Sequence, residues 1–348
     1  MSKYLRKFET EAEYSAATIY KPSVSLISDE MTVIFDPKPH DYSEDYLTFV
    51  AIEDGTFSFN GNGAISANTL EYSVDSGSTW STLQNGGTTP TVTSGNTILW
   101  KASGLTIDAN NGIGTFSSTG NFEVEGNIMS LLYGDNFVNQ TDLTGYNSAF
   151  NGLFGSCIKI TSAENLILPA TTLAKMCYAS MFYNCTSLTT APELPATTLA
   201  GRCYYNMFNG CISLTTAPVL SATTLADNCY YGMFRGCISL TTAPVLSATT
   251  LASGCCQNMF SGCTSLTTAP ILPAETIKSQ SYRGMFNGCT SLSAITCLAT
   301  DISATRCTYQ WMTGVAANGT FTKAASMSSW TEGNNGIPSG WTVQDYTG

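Results

Sequence analysis

The pair Met-Phe occurs at Met181-Phe182, Met207-Phe208, Met233-Phe234, Met259-Phe260 and Met285-Phe286, one step of 26 residues each time. Degenerate versions stand before and after it, at Leu153-Phe154 and Trp311-Met312. The neighbours recur too, so that Cys203 to Leu220 reads CYYNMFNGCISLTTAPVL and returns one step later with few changes. A fixed period of this length confines the chain to stacked copies, because one copy cannot bury its apolar side alone and must lean on the next.

Within a copy, Leu188-Thr189-Thr190-Ala191 has the composition of a short strand that stops at Pro192, whose missing N–H cannot enter a ladder. Leu194 and Leu199 are expected to point inward on either side of Pro195. Thr197 and Thr198 suit a helix N-cap, and Leu199, Cys203, Met207 and Phe208 follow at the i, i+4, i+8, i+9 spacing of a buried helical face. Asn184, Gly210, Gly236, Gly262, Gly288 and Gly314 then supply residues that tolerate a left-handed C-cap. Each copy is therefore predicted as strand, proline corner, short helix and glycine stop.

The cysteines of the stack fall into two columns. One holds Cys177, Cys203, Cys229, Cys255 and Cys307, with Ser281 in the gap; the other holds Cys157, Cys185, Cys211, Cys237, Cys263 and Cys289. Eight residues of helix would part the two columns by about 12 Å, beyond the roughly 7 Å limit on Cα separation in a disulfide. Neighbours along the helix column would stand about 8–10 Å apart. The second column is expected to stack more closely, which allows bridging without requiring it. The favoured expectation is reduced, buried core thiols. No Cys-x-x-Cys pair or histidine partner suggests zinc.

The threonine pairs 189/190, 215/216, 241/242 and 267/268 would form ladders. Neighbouring strand residues point to opposite faces, so an ice-binding array of paired threonines on one face is not expected.

The amino end differs chemically: residues 1–54 hold five of the 14 Lys and Arg and eleven of the 25 Asp and Glu. Leu5, Phe8, Ala12 and Ala16 fall at helical spacing, predicting a short helix over residues 1–20 that Pro22 ends. Short strands are expected at 23–27 and 32–35. This segment, 1–45, either docks on something else or is a loose charged tail. It lacks the apolar run of a secretory signal. From 46 to 130, runs at 47–52, 56–59, 69–74, 97–101 and 121–125 predict a small antiparallel sandwich or barrel with Trp80 and Trp100 as core anchors. Ser73-Val-Asp75-Ser-Gly77-Ser-Thr-Trp80 matches the Asp-box pattern S-x-D-x-G-x-x-W, a hairpin device in which the carboxylate caps turn amides and the Trp packs beneath. One box does not make a glycosidase, which needs two facing carboxylates. The stack then runs over 131–315, closed by residues 316–348.

Charged residues are only 11% of the chain, His40 is the sole histidine, and the net charge is −11. A basic stripe for nucleic acid is lacking, and no run of 18 apolar residues suggests a membrane span. Without a Ser/His/Asp or Cys/His constellation or a phosphate-cradling glycine loop, no enzyme and no cofactor are expected.

The unit C-Y-x-x-M-F-x-G-C-x-S-L-T-T-A-P-x-L-x-A-T-T-L-A, over residues 150–315, resembles BspA-like leucine-rich repeats, found in surface proteins of Bacteroidales and in proteins of phages that infect them. Tyr4-Leu5-Arg6-Lys7-Phe8 through Lys21-Pro22-Ser23-Val24-Ser25-Leu26 and Phe35-Asp36-Pro37 is similar to the amino-terminal segment of virion proteins in crAss-like and related phages. Gly319-Thr320-Phe321 through Gly336-Ile337-Pro338-Ser339-Gly340-Trp341-Thr342-Val343 resembles the terminal cap of such arrays. The resemblance implies a mixed fold, a mainly β sandwich-like domain followed by an α/β leucine-rich-repeat solenoid. It also implies a virion protein, a head or tail fibre or decoration subunit assembled in the host cytoplasm. Its anchor would be the segment bearing Tyr4, Leu5, Phe8, Leu26 and Phe35, held by other virion proteins, and the subunit would be a homo-oligomer, a trimer among the options, although no heptad stalk argues for one. The competing reading is a bacterial cell-surface adhesion or scaffold protein, which would need a signal peptide.

Positions that change from copy to copy mark where such a stack would meet a partner. They include Lys175, Ala179, Tyr183, Asn209, Asp227 and Gln257, and above all Arg202, Tyr205, Tyr231, Arg235, Arg283 and Tyr309. Tyrosines there suit stacking on sugar rings and arginines suit hydrogen bonding to a host glycan or protein. The plainer alternative is that they are ordinary solvated positions.

Overall fold

The computed structural model describes residues 41–61 and 70–347, together with two short strands, β1 (Leu5–Lys7) and β2 (Thr32–Ile34). The chain divides into two compact units, Met1–Tyr42 and Ser43–Gly348. In the first, β1 pairs antiparallel with β2, Leu5 opposite Ile34. The helix expected over 1–20 is thus broken by extended backbone at Leu5, where the β-branched Thr32, Val33 and Ile34 provide a ladder that outweighs the weak helical spacing of four residues. Tyr4, Phe8, Leu26 and Phe35 lie outside the described residues.

The second unit is mainly β. Five strands make an antiparallel run in the order β9 (Phe122–Asn127), β3 (Leu47–Ala51), β7 (Thr97–Ala102), β5 (Leu70–Ser73), β6 (Ser81–Thr82). β4 (Phe57–Asn60) and β8 (Thr115–Ser118) form a separate antiparallel pair. Phe57 and Phe116 from this pair meet Phe49 and Trp100 of the sheet, with ring centroids 4.9–5.3 Å apart, and Phe59 packs on Phe116 at 4.7 Å. This region is therefore β-rich, and its sheets do not close into a barrel. Trp100 is fully buried, but Trp80 is only half-buried. It rests on Tyr46 at 5.0 Å under the Lys101 ammonium, 4.2 Å away, because its amphipathic ring is satisfied at an edge with a cation above it.

Downstream, the polarity of pairing changes. β10 (Ile160–Ser162) and β11 (Leu166–Ile167), from the first copy of the repeat, add to β9 in parallel. A single helical turn, α1 (Ser130–Tyr133), lies between. From there on the copies lie one on the next, joined by parallel bridges such as Ser162↔Thr190, Thr216↔Thr242, Leu220↔Leu246 and Thr224↔Thr250. The stack ends in a parallel sheet of β12 (Ala294–Cys297), β13 (Gly319–Lys323) and β14 (Trp341–Asp345).

The predicted helix of each copy is absent. In residues 174–185 the amides of Cys177, Ala179, Met181, Tyr183 and Cys185 bond carbonyls three residues back. The alternate amides, Tyr178, Ser180, Phe182 and Asn184, bond Cys203, Tyr205, Met207 and Asn209 of the next copy at 2.7–3.0 Å. Every fourth residue takes positive φ: Met176, Ser180 and Asn184, then Arg202, Asn206 and Gly210. A helix would have spent its amides within itself; this succession of turns spends half of them between copies. Its inward pairs recur every four residues, Cys203-Tyr204 then Met207-Phe208 then Cys211, a spacing that 3.6-residue helical periodicity imitates over two turns.

Since adjacent backbones are hydrogen-bonded, helix-packing distances do not apply to the first cysteine column either. All thirteen cysteines are buried free thiols. Those of the second column donate to the preceding copy: Cys185 Sγ to the Phe154 carbonyl, Cys211 to Phe182, Cys237 to Phe208, Cys263 to Phe234 and Cys289 to Phe260, all at 3.0–3.1 Å.

Phenylalanines stack along the interior. Phe154, Phe182, Phe208, Phe234, Phe260 and Phe286 are 5.3–5.8 Å apart with planes within 18°. The file begins on Phe116 of the sandwich, 5.9 Å from Phe154, and finishes near Trp311, which stacks on Trp330 at 5.4 Å. One aromatic core therefore runs from the sandwich to the last copy.

Candidate functional site

Two outward faces of the stack differ in chemistry. On one, Thr215 and Thr216, Thr241 and Thr242, and Thr267 and Thr268 are all exposed. The backbone there is joined to its neighbours by isolated bridges such as Thr216↔Thr242 and not by a continuous ladder, so both members of each pair are left accessible. Val219, Val245 and Ile271 stand out from the same face, at 73%, 74% and 49% exposure.

The turn segments form the other face, where the residues between successive inward pairs, the positive-φ positions among them, are left at the surface. Arg202 and Arg235 are exposed, and Tyr205 and Tyr231, half-buried, stack on each other with centroids 4.6 Å apart and planes 12° from parallel. Burial, with the Tyr231 ring beside it, pushes the Tyr205 hydroxyl above its ordinary pKa, while Arg202 and Arg235 pull it the other way. Asn258 Nδ2 donates to the Tyr231 hydroxyl at 3.4 Å.

Further along the same column Arg283 lies over the Tyr309 ring, 5.6 Å from its centroid, and donates through Nη1 to Gln280 Oε1 at 3.0 Å. Arg306 approaches the same ring at 5.9 Å. The structure thus gathers the six singled-out residues into two clusters, Arg202, Tyr205, Tyr231 and Arg235 in one, Arg283 and Tyr309 in the other. Arg306 completes the second cluster; its signal in the sequence was its place one step of 26 after Gln280 and four steps after Arg202. Two other variable positions of the Tyr205 column are buried, Ala179 at 1% and Gln257 at 9% exposure.

The sandwich carries a smaller constellation. Lys101 Nζ reaches Asp135 Oδ1 at 2.9 Å, and the Tyr46 hydroxyl donates to the same oxygen at 2.8 Å. Partial burial and the Asp135 carboxylate raise the Tyr46 hydroxyl to about 12. In the Asp box, the Thr79 hydroxyl and amide donate to Asp75 at 2.6 and 2.9 Å, holding its carboxyl at about 2, and the Ser73 hydroxyl accepts the Gly77 amide at 2.8 Å. Among the described residues the side-chain and amide donors to that carboxylate, from Ser73 and Thr79, belong to its own turn, so the box acts as a hairpin clasp.

Among the described residues no group of three or more His, Cys, Asp or Glu side chains converges, and no helix is long and apolar enough to cross a membrane. Comparison with family models, with curated proteins and with solved structures finds no match to this chain. The turn face, with its paired rings and guanidinium groups, has the equipment of a binding surface: planar donors for oxyanions and flat apolar rings.

Proposed function

We propose that this chain is a structural virion protein, a head or tail fibre or decoration subunit, whose stack of 26-residue copies is a BspA-like leucine-rich-repeat solenoid displayed to the host surface. The observation that carries the reading is the amino-terminal likeness to virion proteins, Tyr4-Leu5-Arg6-Lys7-Phe8 through Phe35-Asp36-Pro37. That segment is the anchor to other virion proteins, the sandwich is the spacer, and the subunit acts as a homo-oligomer. The helical limb of the resembled repeat is replaced here by the run of turns.

A display role is supported by the division of labour within each copy. The interior Met, Phe and Cys repeat, while the columns that hold Arg202, Tyr205, Tyr231, Arg235, Arg283 and Tyr309 vary along the stack. Binding of a glycan or protein on the host surface, without catalysis, is the function assigned to these non-repeating positions. Mass spectrometry of gradient-purified phage particles tests the reading, together with antibody labelling of the same particles in the electron microscope. The chain is expected at stoichiometric levels on the particle. Recovery from bacterial envelope fractions alone would establish the adhesion protein of the cell surface in its place.

A further inference from the structure

The chain as a whole is acidic, with a net charge of −11, yet its turn segments are not. Between 173 and 316, the turn segments carry Lys175, Arg202, Arg235, Arg283 and Arg306 against the one carboxylate of Asp227, while Lys278, just ahead of its turn segment, has the Asp301 carboxylate near it. The Asp227 carboxylate is already engaged, accepting the Ser253 amide at 3.0 Å. The face is thus a positive strip on a negative body, and an anion approaching the molecule is drawn to it and repelled elsewhere.

The strip is grouped. The Tyr205–Tyr231 stack lies between Arg202 and Arg235 in sequence order, and Tyr309 has Arg283 and Arg306 about its ring. Tyr205 and Arg283 stand in the same column three copies apart. At about 4.8 Å per hydrogen-bonded copy, the centres of the two clusters are roughly 14 Å apart. Between them the column offers only the neutral, buried Gln257.

Resting on the reading of the stack as a display surface, we infer that this strip binds a linear acidic polysaccharide, one chain spanning both arginine–tyrosine clusters. Carboxylates take the paired guanidinium donors, and the apolar faces of the sugar rings lie against the tyrosines. Its groups stand in three neighbouring columns, those of Arg202, Tyr205 and Arg235, and are strung along the stack, which suits an extended polymer. A folded acidic protein would need a broad patch of roughly 800 Å² per partner with an apolar centre.

The test uses the full chain and polygalacturonate, with neutral dextran, an acidic globular protein and single-stranded DNA as comparison ligands. Polygalacturonate alone is expected to bind, with affinity falling as salt is raised. Oligogalacturonates too short to span the roughly 14 Å between cluster centres are expected to bind about tenfold or more weakly than those that reach it, because the second cluster then adds no effective concentration. Arg202→Gln with Arg235→Gln, and separately Arg283→Gln with Arg306→Gln, should each remove that length dependence, whereas Thr216→Ala with Thr242→Ala on the opposite face should leave it intact. Circular dichroism of each variant checks that the stack is folded, and the matching lysine variants should restore part of the binding.

Equal binding of dextran, binding of protein or DNA in place of polygalacturonate, or arginine variants that bind like the parent would overturn the inference. The outcome is separable from the virion reading. Polyuronate binding through these arginines by a chain absent from particles removes the virion role and keeps the site, while a particle-borne chain indifferent to polyuronate does the reverse.

Discussion

Within the turn segments, asparagine and glycine alternate down the columns of positive φ for a steric reason. Asn206 precedes Gly232, Asn228 precedes Gly254, and Asn258 precedes Gly284, each pair one copy apart. In every case a Cβ on the glycine would collide with the asparagine Oδ1. Asparagine tolerates the left-handed region and leans its amide over the next copy, so only glycine fits where it lands. Gly284→Ala should therefore cost about 1–3 kcal/mol, combining φ strain with the clash. Denaturant unfolding would show this as a lower midpoint, and Asn258→Gly in the same chain should recover part of it; equal losses in both backgrounds would mean that the neighbour plays no part. The alternation stands in the sequence as a regular substitution between copies. Reading it required the knowledge that these residues touch their counterparts one period away, which a helix would have prevented.

At the scale of the element, the run of turns answers for both the success and the failure of the sequence reading. Cys203, Met207, Phe208 and Cys211 were correctly placed inside, and Gly210 correctly in the left-handed region. The element itself was misassigned, because apolar pairs every four residues satisfy a helix and a turn series alike over so short a span. What separates them is where the alternate amides go, and no residue type reports that. The same segments hold the buried thiols, and burial raises Cys177, Cys211 and Cys289 from an ordinary value of 9.0 to about 12. Because the folded state favours the protonated form, this contribution to stability is complete below pH 9 and is lost as the pH climbs toward 12. Far-UV circular dichroism should stay constant up to about pH 9 and then collapse before about pH 12. A fold that survives beyond that range with ionised thiols would contradict the burial described here.

For the whole molecule, the period of 26 made the stacking legible, and the strands of the sandwich were found within two residues of their ends, apart from β6 and β8. β8 was missed because Phe116 is its single apolar residue, and one ring among Thr and Ser gives no alternation to detect. The candidate site was half legible: the variable positions identified the face, but the pairing of Tyr205 with Tyr231 and the second arginine over Tyr309 depend on registry between copies. That registry is held by amides directed from one copy to the next, and it has a mechanical consequence. Tension between the two ends of the stack pulls on these bonds one interface at a time, so the molecule should lengthen in equal steps. Each released copy of 26 residues frees about 8–9 nm of extended chain. In an optical trap this is expected as a ladder of like-sized extensions, whereas a single rupture of the entire stack would mean that the copies share load collectively. A tether built this way yields gradually under shear and re-forms copy by copy when the pull relaxes.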